Sequence, residues 1–387
     1  MNAPRWARPR SSLPARLAVI TLGVAGLEAG ACLFLPAVED DGYTSCSNDD
    51  DCAAGRACAV EVGLCAPPPW HDTSFTERRL IVVENVDDAE LAAGTAIPIR
   101  IGGDSATIAL DDVKADARFT SFDEATGQWR VVGVYRDLFA DRFTVWAPLP
   151  AAIGAGRREA LVWLEQGTEA GTPTVLEEPA TTFLLFDDLD DFPVDDTSTD
   201  RYFIAAPGAA APVPGDGQVT IGDNVTVIWR QALTLPIELT FRARVNGLSC
   251  EEVFVGLTGN DAVGFNPPSA GFFLGPDLGT VGEVYATADA AVATELSPPR
   301  VFSEVPTALH RFTVQADGAT VRLLIDDVVF DESTTLRPTF DNAVPMFATV
   351  QVGGACSIDV DAMWATPLPA ALPLLTVQEP IRLNITF

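Results

Sequence analysis

Basic residues, histidines and long apolar runs are scarce in this chain. Its 387 residues include 24 Lys and Arg against 54 Asp and Glu, so the formal net charge is −30 and the pI is about 4.2. A nucleic-acid-binding protein needs a basic surface to neutralise phosphates, and this charge excludes that class of partner. Two histidines, His71 and His310, restrict imidazole catalysis and metal binding. Beyond residue 31, no apolar run reaches the ~18 residues of a membrane-spanning helix.

The usual catalytic motifs are also missing. The chain has no G-x-S-x-G nucleophile elbow, no G-x-x-x-x-G-K-[ST] or G-x-G-x-x-G phosphate loop, and no C-x-x-C metal-binding pair. A glycosidase needs two carboxylates on one face, which E-x-D-x-x-E spacing on a strand provides, and this spacing is absent as well. We therefore expect a protein that is not an enzyme.

Residues 1–31 have the pattern of an export signal. Four arginines precede an apolar run at 17–27 that is too short to span a bilayer, which favours a signal peptide. The small residues at 29–31 lead into Cys32, an order that resembles the lipobox of bacterial lipoproteins. This resemblance implies acylation of Cys32 and a lipid anchor at the outer membrane or cell surface. Ordinary cleavage after residue 31, giving a secreted protein, is the alternative, because Ala29 stands where Leu is usual.

Without Cys32, the cysteines are even in number, as in an exported protein with disulfides. Four of them fall in a spacer at residues 32–69 that resembles the small C-x-(S/N)-D-x-D-C modules of secreted bacterial proteins: Cys46, Cys52, Cys58 and Cys65. The spacing predicts a small disulfide-rich segment but leaves three pairings open.

The rest of the chain consists of short runs rich in Val, Ile, Trp, Tyr and Phe, separated by turn residues. Such runs are typical of half-buried strands, and no sustained helical stripe interrupts them. The predicted fold class is therefore all-β, with two consecutive antiparallel β-sandwiches at residues 70–178 and 179–366. Residues 367–387 form a C-terminal extension whose alternating end, IRLNITF, predicts an added edge strand.

In the first sandwich, the runs at 118–120 (RFT), 145–150 (VWAPLP) and 161–167 (LVWLEQG) resemble domain of unknown function 2341, over about residues 75–170. The last run departs from the family, where aromatic residues and "YGN" are common. This resemblance implies architecture, not chemistry. Trp129, Trp146 and Trp163 fall on separate predicted strands, where we expect core positions, with a sugar-stacking platform as the alternative.

The second sandwich carries FDDLDD, LPIELTFRARVNG (235–247), HRFTVQADGATVRLLIDDVVF (310–330) and ATVQVGGACSIDVDAMW (348–364). Together these resemble a concanavalin A-like or laminin G-like jelly roll over about residues 183–366. Asp317-Gly318 predicts the turn of a hairpin, and Asp327 stands where the family often has Gly. The resemblance makes an early strand the neighbour of the last one, so we expect a disulfide between Cys250 and Cys356.

The predicted jelly roll contains two sets of candidate site residues. Aromatics around a Gly/Pro-rich region are the candidate ligand contacts, with a packed loop as the alternative: Phe265, Phe272, Phe273 and Tyr285. Paired aspartates are calcium-type ligands, with a solvated linker as the alternative: Asp187, Asp188, Asp359 and Asp361.

We therefore predict a non-catalytic protein of cell-surface recognition or adhesion that binds carbohydrate or another surface component through the jelly roll. Calcium is the one candidate cofactor, and the membrane is reached through the lipid anchor. A glycoside hydrolase-like enzyme and a purely structural envelope lipoprotein are the alternatives.

Overall fold

The computed structural model of the chain describes residues 47, 58–59, 64–65, 75–102, 106–109, 112–114, 116–123, 126–139, 142–167, 178–193, 198–206, 212–215, 217–246, 252–259, 269–274, 281–287, 300–301, 308–317, 320–333, 345–353, 356–369, 373–377 and 381–382. All of these residues belong to one compact unit of the chain. Within them, no helix is long and apolar enough to cross a membrane.

Two strands lie in the predicted cysteine-rich spacer. β1 (Cys58–Ala59) and β2 (Leu64–Cys65) are antiparallel, and their register sets Cys58 opposite Cys65. The side chains of these strands, together with Cys46 and Cys52, lie outside the described residues. The disulfides of the spacer stay a prediction.

The first sandwich consists of two antiparallel sheets. Its strands are β3 (Glu77–Glu84), β4 (Ala96–Ile101), β5 (Arg118–Asp123), β6 (Gln128–Val131), β7 (Tyr135–Phe139), β8 (Arg142–Pro148) and β9 (Arg158–Gln166). One sheet has the order β3-β9-β5-β6, and a small sheet has the order β4-β8-β7. Alternate apolar residues such as Ile81, Ile99, Phe119 and Val145 form the core between them, as the period-two pattern requires.

The second sandwich follows a four-residue helix, α1 (Pro179–Thr182). Its strands are β10 (Leu185–Asp187), β11 (Tyr202–Ala205), β12 (Val213–Gly215), β13 (Gln218–Ile221), β14 (Val225–Trp229), β15 (Ile237–Asn246), β16 (Glu252–Thr258), β17 (Ser269–Leu274), β18 (Val281–Thr287), β19 (Arg300–Val301), β20 (His310–Ala316), β21 (Val321–Ile325), β22 (Val328–Ser333), β23 (Phe347–Gly353) and β24 (Ser357–Pro367). The front sheet has the order β12-β13-β24-β15-β20-β21-β22, with β10 also on β24, and the back sheet has the order β11-β14-β23-β16-β17-β18-β19. The fold class is confirmed: the described part of the chain is almost all β, its antiparallel sheets form sandwiches, and the second sandwich is of jelly-roll type.

The predicted hairpin is present in the front sheet. Ala316 pairs with Val321, and the Asp317 backbone N–H donates to the Thr320 carbonyl, which closes the first turn. At the second turn Asp326 and Asp327 adopt positive φ angles of 52° and 69°. Aspartate tolerates the left-handed region better than most residues, and two such residues in succession are typical of a type I′ turn. The turn therefore forms without the glycine that is common in the family that the sequence resembles.

The C-terminal extension returns to the first sandwich. β25 (Leu374–Val377) and β26 (Ile381–Arg382) both pair antiparallel with β3, so they lie at the edge of its sheet. Leu375 and Val377 pack against the core of that sandwich. The expected edge strand therefore belongs to the first sandwich, whose strands come from both ends of the folded unit.

Candidate functional site

One face of the front sheet is polar and charged. Along β15, residues 237, 239, 241, 243 and 245 lie in the core, and the alternate residues point to the other side of the sheet. We call this side the outer face; its residues on β15, β20 and β24 are Glu238, Thr240, Arg242, Arg244, Arg311, Thr313, Gln315, Asp359, Asp361, Trp364 and Thr366. A bulge between Arg242 and Ala243 interrupts the pairing of β15 with β24 beside Asp361.

Cross-strand pairs join the outer face. Gln315 Nε2 donates to Glu238 Oε2 at 2.6 Å, and the hydroxyls of Thr240 and Thr313 lie 2.9 Å apart. Each pair lies at directly opposed positions of β15 and β20. The polar side chains are therefore fixed by one another as well as by their strands.

Asp137 of the first sandwich neutralises the next cross-strand pair. Arg242 and Arg311 are opposite each other, and two like charges at such positions repel. The fully buried Asp137 carboxylate on β7 accepts from Arg242 Nη1 at 2.9 Å, and Arg311 Nε lies 2.7 Å from its other oxygen. The charges of the two sandwiches are therefore complementary where they meet.

Aromatic rings pack beside this ion pair. Trp146 on β8 lies 6.5 Å from Trp364 on β24, centroid to centroid, and Tyr135 lies 5.6 Å from the Trp364 ring. Phe183, which follows α1, and Phe186 on β10 complete the cluster. Trp146 is a core residue, as expected, but it belongs to the contact between the two sandwiches. The side chain of Trp163 is outside the described residues.

A cavity of about 380 Å³ lies between the outer face and the small sheet of the first sandwich. Arg100 and Trp146 line it from the first sandwich, and Glu238, Trp364 and Thr366 line it from the outer face. The hairpin turn between β21 and β22 adds Asp327. Its size falls in the range of small-molecule sites, ~300–1,000 Å³.

Two carboxyl groups of the cavity have different surroundings. Burial raises the pKa of Glu238, and the nearby charge of Asp327 raises it further, while the Gln315 hydrogen bond and Arg100 oppose this rise. Asp327 is held by Arg311, whose Nη1 lies 3.1 Å from its Oδ2. One carboxyl is therefore biased toward the protonated form and the other is ion-paired. When two carboxyl groups in one site have different surroundings, one can act as an acid while the other acts as a carboxylate.

Phe272 is not a ligand contact, contrary to the prediction. It is fully buried in the core of the second sandwich, where its ring packs edge-on against Phe312 at 5.3 Å. The Gly-rich sequence around it favoured a loop, but residues 269–274 form β17, whose alternation turns Phe272 inward. Phe265, and the side chains of Phe273 and Tyr285, lie outside the described residues, so their role as ligand contacts stays a prediction.

Asp187 does not have the surroundings of a calcium ligand, which corrects that prediction. Its fully buried carboxylate accepts from Tyr202 Oη at 2.7 Å, Trp229 Nε1 at 2.5 Å and the Leu189 backbone N–H at 2.9 Å, and Arg201 Nη2 lies 2.9 Å away. Donors and a cation already occupy both oxygens, and Asp188 is exposed. Burial raises the pKa of Tyr202, and the neighbouring Asp187 carboxylate raises it further.

The other aspartate pair is engaged by arginines. Burial alone would raise the pKa of Asp359, but hydrogen bonds from Asn246, Arg244 and Thr220 lower it below the usual range. Arg244 Nη2 lies 2.6 Å from Asp359, and Arg242 Nε is ion-paired with Asp361. Across the described part of the chain, no three His, Cys, Asp or Glu residues gather as a metal site would require.

The remaining predicted residues are cysteines. Cys356 is buried, and its Sγ lies 3.7 Å from the Gly353 carbonyl oxygen. The register pairs Asn246 with Ser357, so the strand that leads toward Cys250 ends beside Cys356. Cys250 and Cys32 lie outside the described residues, and both the disulfide and the lipid attachment stay predictions.

Sequence reasoning missed Glu238, Gln315, Trp364 and Asp327. A signal was present, because IELTFRARVN and HRFTVQA alternate apolar and polar residues over matching lengths. That alternation predicts one polar face shared by two strands, but such a face is usually solvent-exposed. Nothing in the local pattern indicates that the first sandwich lies over this face.

No protein-family model matches the chain, and none of the curated proteins matches it. Solved structures do. One of them was reported with endo-acting O-glycanases, which human gut microbiota express to initiate mucin breakdown. It is 11% identical to this chain, with a TM-score of 0.40, over 48% of this chain and 100% of that chain. A lichenase from a mouse hindgut metagenome is 9% identical, with a TM-score of 0.36, over 45% of this chain and 96% of that chain. A laminarinase from a Flavobacterium is 8% identical, with a TM-score of 0.36, over 48% of this chain and 99% of that chain.

The prediction that the chain is not an enzyme is contradicted by these structures, whose names are those of glycan-cleaving enzymes. The missing E-x-D-x-x-E spacing excluded only carboxylates that share one strand. In the cavity, Glu238 comes from β15 and Asp327 from the turn after β21, so no motif of one strand contains both. The activities of the solved proteins are their own, and the chemistry available to this chain depends on its own cavity.

Proposed function

We propose that the chain is a glycoside hydrolase-like enzyme that acts on a glycan in the cavity between its two sandwiches. One observation carries this proposal: the cavity contains a carboxyl group with a raised pKa, Glu238, together with an ion-paired carboxylate, Asp327. Hydrolysis of a glycosidic bond uses such a pair, one member as acid and the other as carboxylate.

Glu238 is the proton donor in this proposal. Its raised pKa keeps a larger fraction of the group protonated near neutral pH, as a general acid requires. The proton passes from the Glu238 carboxyl to the oxygen of the leaving sugar as its bond to the anomeric carbon breaks. Gln315, which donates to Glu238 Oε2, positions the group.

Asp327 is the second carboxylate. Arg311 holds it at the tip of the turn, and the positive φ angle of Asp327 is part of the backbone geometry that places it there. It accepts a proton from the water that adds to the anomeric carbon, so that the products are two sugars with free hydroxyls. Arg311 is itself anchored by Asp137, which ties the position of Asp327 to the contact between the sandwiches.

The experiment measures release of reducing ends from a panel of soluble polysaccharides by the full chain. Glu238→Gln and Asp327→Asn keep the size of each side chain and remove its acid–base chemistry. We expect each to lower kcat by roughly 100-fold or more. Glu90→Gln, an exposed residue outside the cavity, is the matched control and keeps full activity. Failure of the wild type to cleave any member of the panel, or equal rates in all variants, would overturn the proposal.

We also propose that the chain is exported and carries a lipid on Cys32. The arginine-rich start, the apolar run at 17–27 and the small residues before Cys32 support this. In a bacterial host, Cys32→Ser should abolish incorporation of labelled fatty acid and release the protein from the membrane fraction. Unchanged labelling in that variant would refute acylation at this residue.

A further inference from the structure

Three buried polar groups around the cavity lack a hydrogen-bond partner. Trp146, Trp364 and Thr366 all line it, and none is more than 9% exposed. Among the described residues, neither indole Nε1 nor the Thr366 hydroxyl has a partner. Buried polar groups of folded proteins are rarely left unpaired, and such groups on a cavity wall are available to hydrogen-bond a polar ligand.

The unpaired groups are mainly donors. An indole Nε1–H only donates, and a threonine hydroxyl either donates or accepts. Arg100 adds a half-buried guanidinium that lines the same cavity and makes no ion pair within the described part of the chain. A guanidinium also donates only. The cavity therefore offers several donors and needs a ligand with acceptor oxygens.

The two carboxyl groups that line the cavity are already engaged. Asp327 is ion-paired with Arg311, and Glu238 accepts from Gln315. The charge of Arg100 acts on Glu238, whose pKa it lowers, but no side-chain contact between the two is formed. Among the described residues Arg100 has no ion-pair partner, so its half-buried cation is available to a ligand in the cavity.

We propose that the cavity selects glycans that carry anionic groups, and that Arg100 binds the anion. A carboxylate of a uronic acid, or a sulfate ester, presents several acceptor oxygens and matches the forked donors of a guanidinium. Neutral sugars bring hydroxyls that must also donate, and both carboxyl groups of the cavity are already engaged. This substrate class rests on the proposed glycan-degrading function and narrows it.

The acidity of the chain does not oppose such a ligand. The net charge of −30 is spread over 387 residues, and at physiological salt charges beyond the ~8 Å Debye length are largely screened. Inside the cavity the nearest charges have the largest effect, and Arg100 lines it with no ion pair to any residue that the structure describes. Local attraction therefore outweighs the repulsion from the rest of the surface.

The test compares one oligosaccharide before and after chemical reduction of its carboxylates to alcohols. Binding to the full chain is measured by calorimetry for an oligouronate, its carboxyl-reduced form and a sulfated neutral oligosaccharide. We expect an anionic form to bind at least about tenfold more tightly than the reduced form. Whichever of the two anionic sugars binds more tightly identifies the anion as carboxylate or sulfate.

Variants of Arg100 locate the effect. Arg100→Gln should remove the preference for the anionic sugar, and Arg100→Lys, which keeps the charge without the fork, should keep part of it. Arg130→Gln is the control, because Arg130 is an exposed residue whose nearest anion, Asp123, is 3.4 Å away and outside the cavity. Circular dichroism checks that the variants are folded.

The outcomes separate the two proposals. Equal affinity for the oligouronate and its reduced form, with cleavage of either, would refute the selection of anions and leave the enzymatic proposal standing. A preference that survives in Arg100→Gln would also refute it. Failure of every sugar to bind or to be cleaved would overturn both.

Discussion

Replacement of Asp137 by asparagine tests the charge contact between the two sandwiches. Asp137 is fully buried, and it contacts Arg242 at 2.9 Å and Arg311 at 2.7 Å. Asparagine keeps the shape of the side chain and removes its charge. Arg242 then keeps its ion pair with Asp361, and Arg311 keeps its ion pair with Asp327; both of these carboxylates are partly exposed. The substitution therefore leaves two largely buried cations undercompensated.

The size of the effect follows from that burial. Removal of one partner from a buried ion pair destabilises a protein by about 3–5 kcal/mol, because the remaining charge stays out of water. The side chains of Arg311 and Arg242 are 4% and 18% exposed. We expect about 3 kcal/mol, the lower end of the range, since asparagine still accepts one hydrogen bond and each arginine keeps a second carboxylate.

Urea unfolding at neutral pH, followed by tryptophan fluorescence, measures this loss. Trp146 and Trp364 lie at the contact and report on its separation. Asp123→Asn is the matched control, because Asp123 pairs at 3.4 Å with an arginine whose side chain is 69% exposed, and such a pair contributes at most about 1 kcal/mol. If Asp137→Asn costs no more than Asp123→Asn, the buried contact adds nothing beyond its desolvation cost.

Three further substitutions test other parts of the structure. Because the folded-state pKa of Glu238 is raised above 4.5, its stabilising contribution is present at acidic pH and is lost as the pH rises through the folded value. Glu238→Gln should therefore have the same melting temperature as the wild type at acidic pH and a higher one at alkaline pH. Identical melting curves at all pH values would contradict the raised pKa. Trp364→Phe keeps much of the aromatic surface and removes an indole N–H that has no partner among the described residues. The free energy of chemical unfolding of the ligand-free protein should therefore fall by less than about 1.5 kcal/mol. A larger loss would mean that the N–H has a hydrogen-bond partner. In Gly256→Ala the new Cβ would lie 2.3 Å from the Ala270 carbonyl oxygen, and we expect the free energy of unfolding to fall by about 1–3 kcal/mol. Gly215→Ala is the near-neutral control, because nothing lies within 4 Å of its new Cβ. Similar melting temperatures for the two variants would refute the close approach of the strands at Gly256.

The all-β fold was predictable because its strands carry their own periodicity. Phe312, Val314 and Ala316 alternate with polar residues in the sequence, and all three are fully buried in the core. The turn at Asp317 was predictable for the same local reason, since Asp-Gly between two alternating runs is a strong hairpin signal. Features that depend on neighbours within a strand or a turn are therefore readable from the sequence.

The candidate site was not predictable, because residues from distant strands form it. Arg100, Glu238 and Asp327 come from three different parts of the chain and meet only where the sandwiches pack together. The search for aromatics favoured a Gly-rich segment, yet Phe272 turned out to be a core residue of β17. A glycine pair explains that sequence: Gly256 and Gly271 are opposite each other, and their strands approach too closely for a Cβ at either position.

Stability and function are coupled at the contact between the sandwiches. The cavity has walls from both of them, so it exists only while the outer face and the small sheet stay together. Arg311 belongs to both features, because it contacts the buried Asp137 and also holds Asp327 at the cavity. Loss of Asp137 would therefore remove one anchor of Arg311 and shift the carboxylate of Asp327, although Asp137 itself does not line the cavity. For this reason Asp137→Asn should lower activity more than its effect on stability explains, even under conditions where the variant is fully folded.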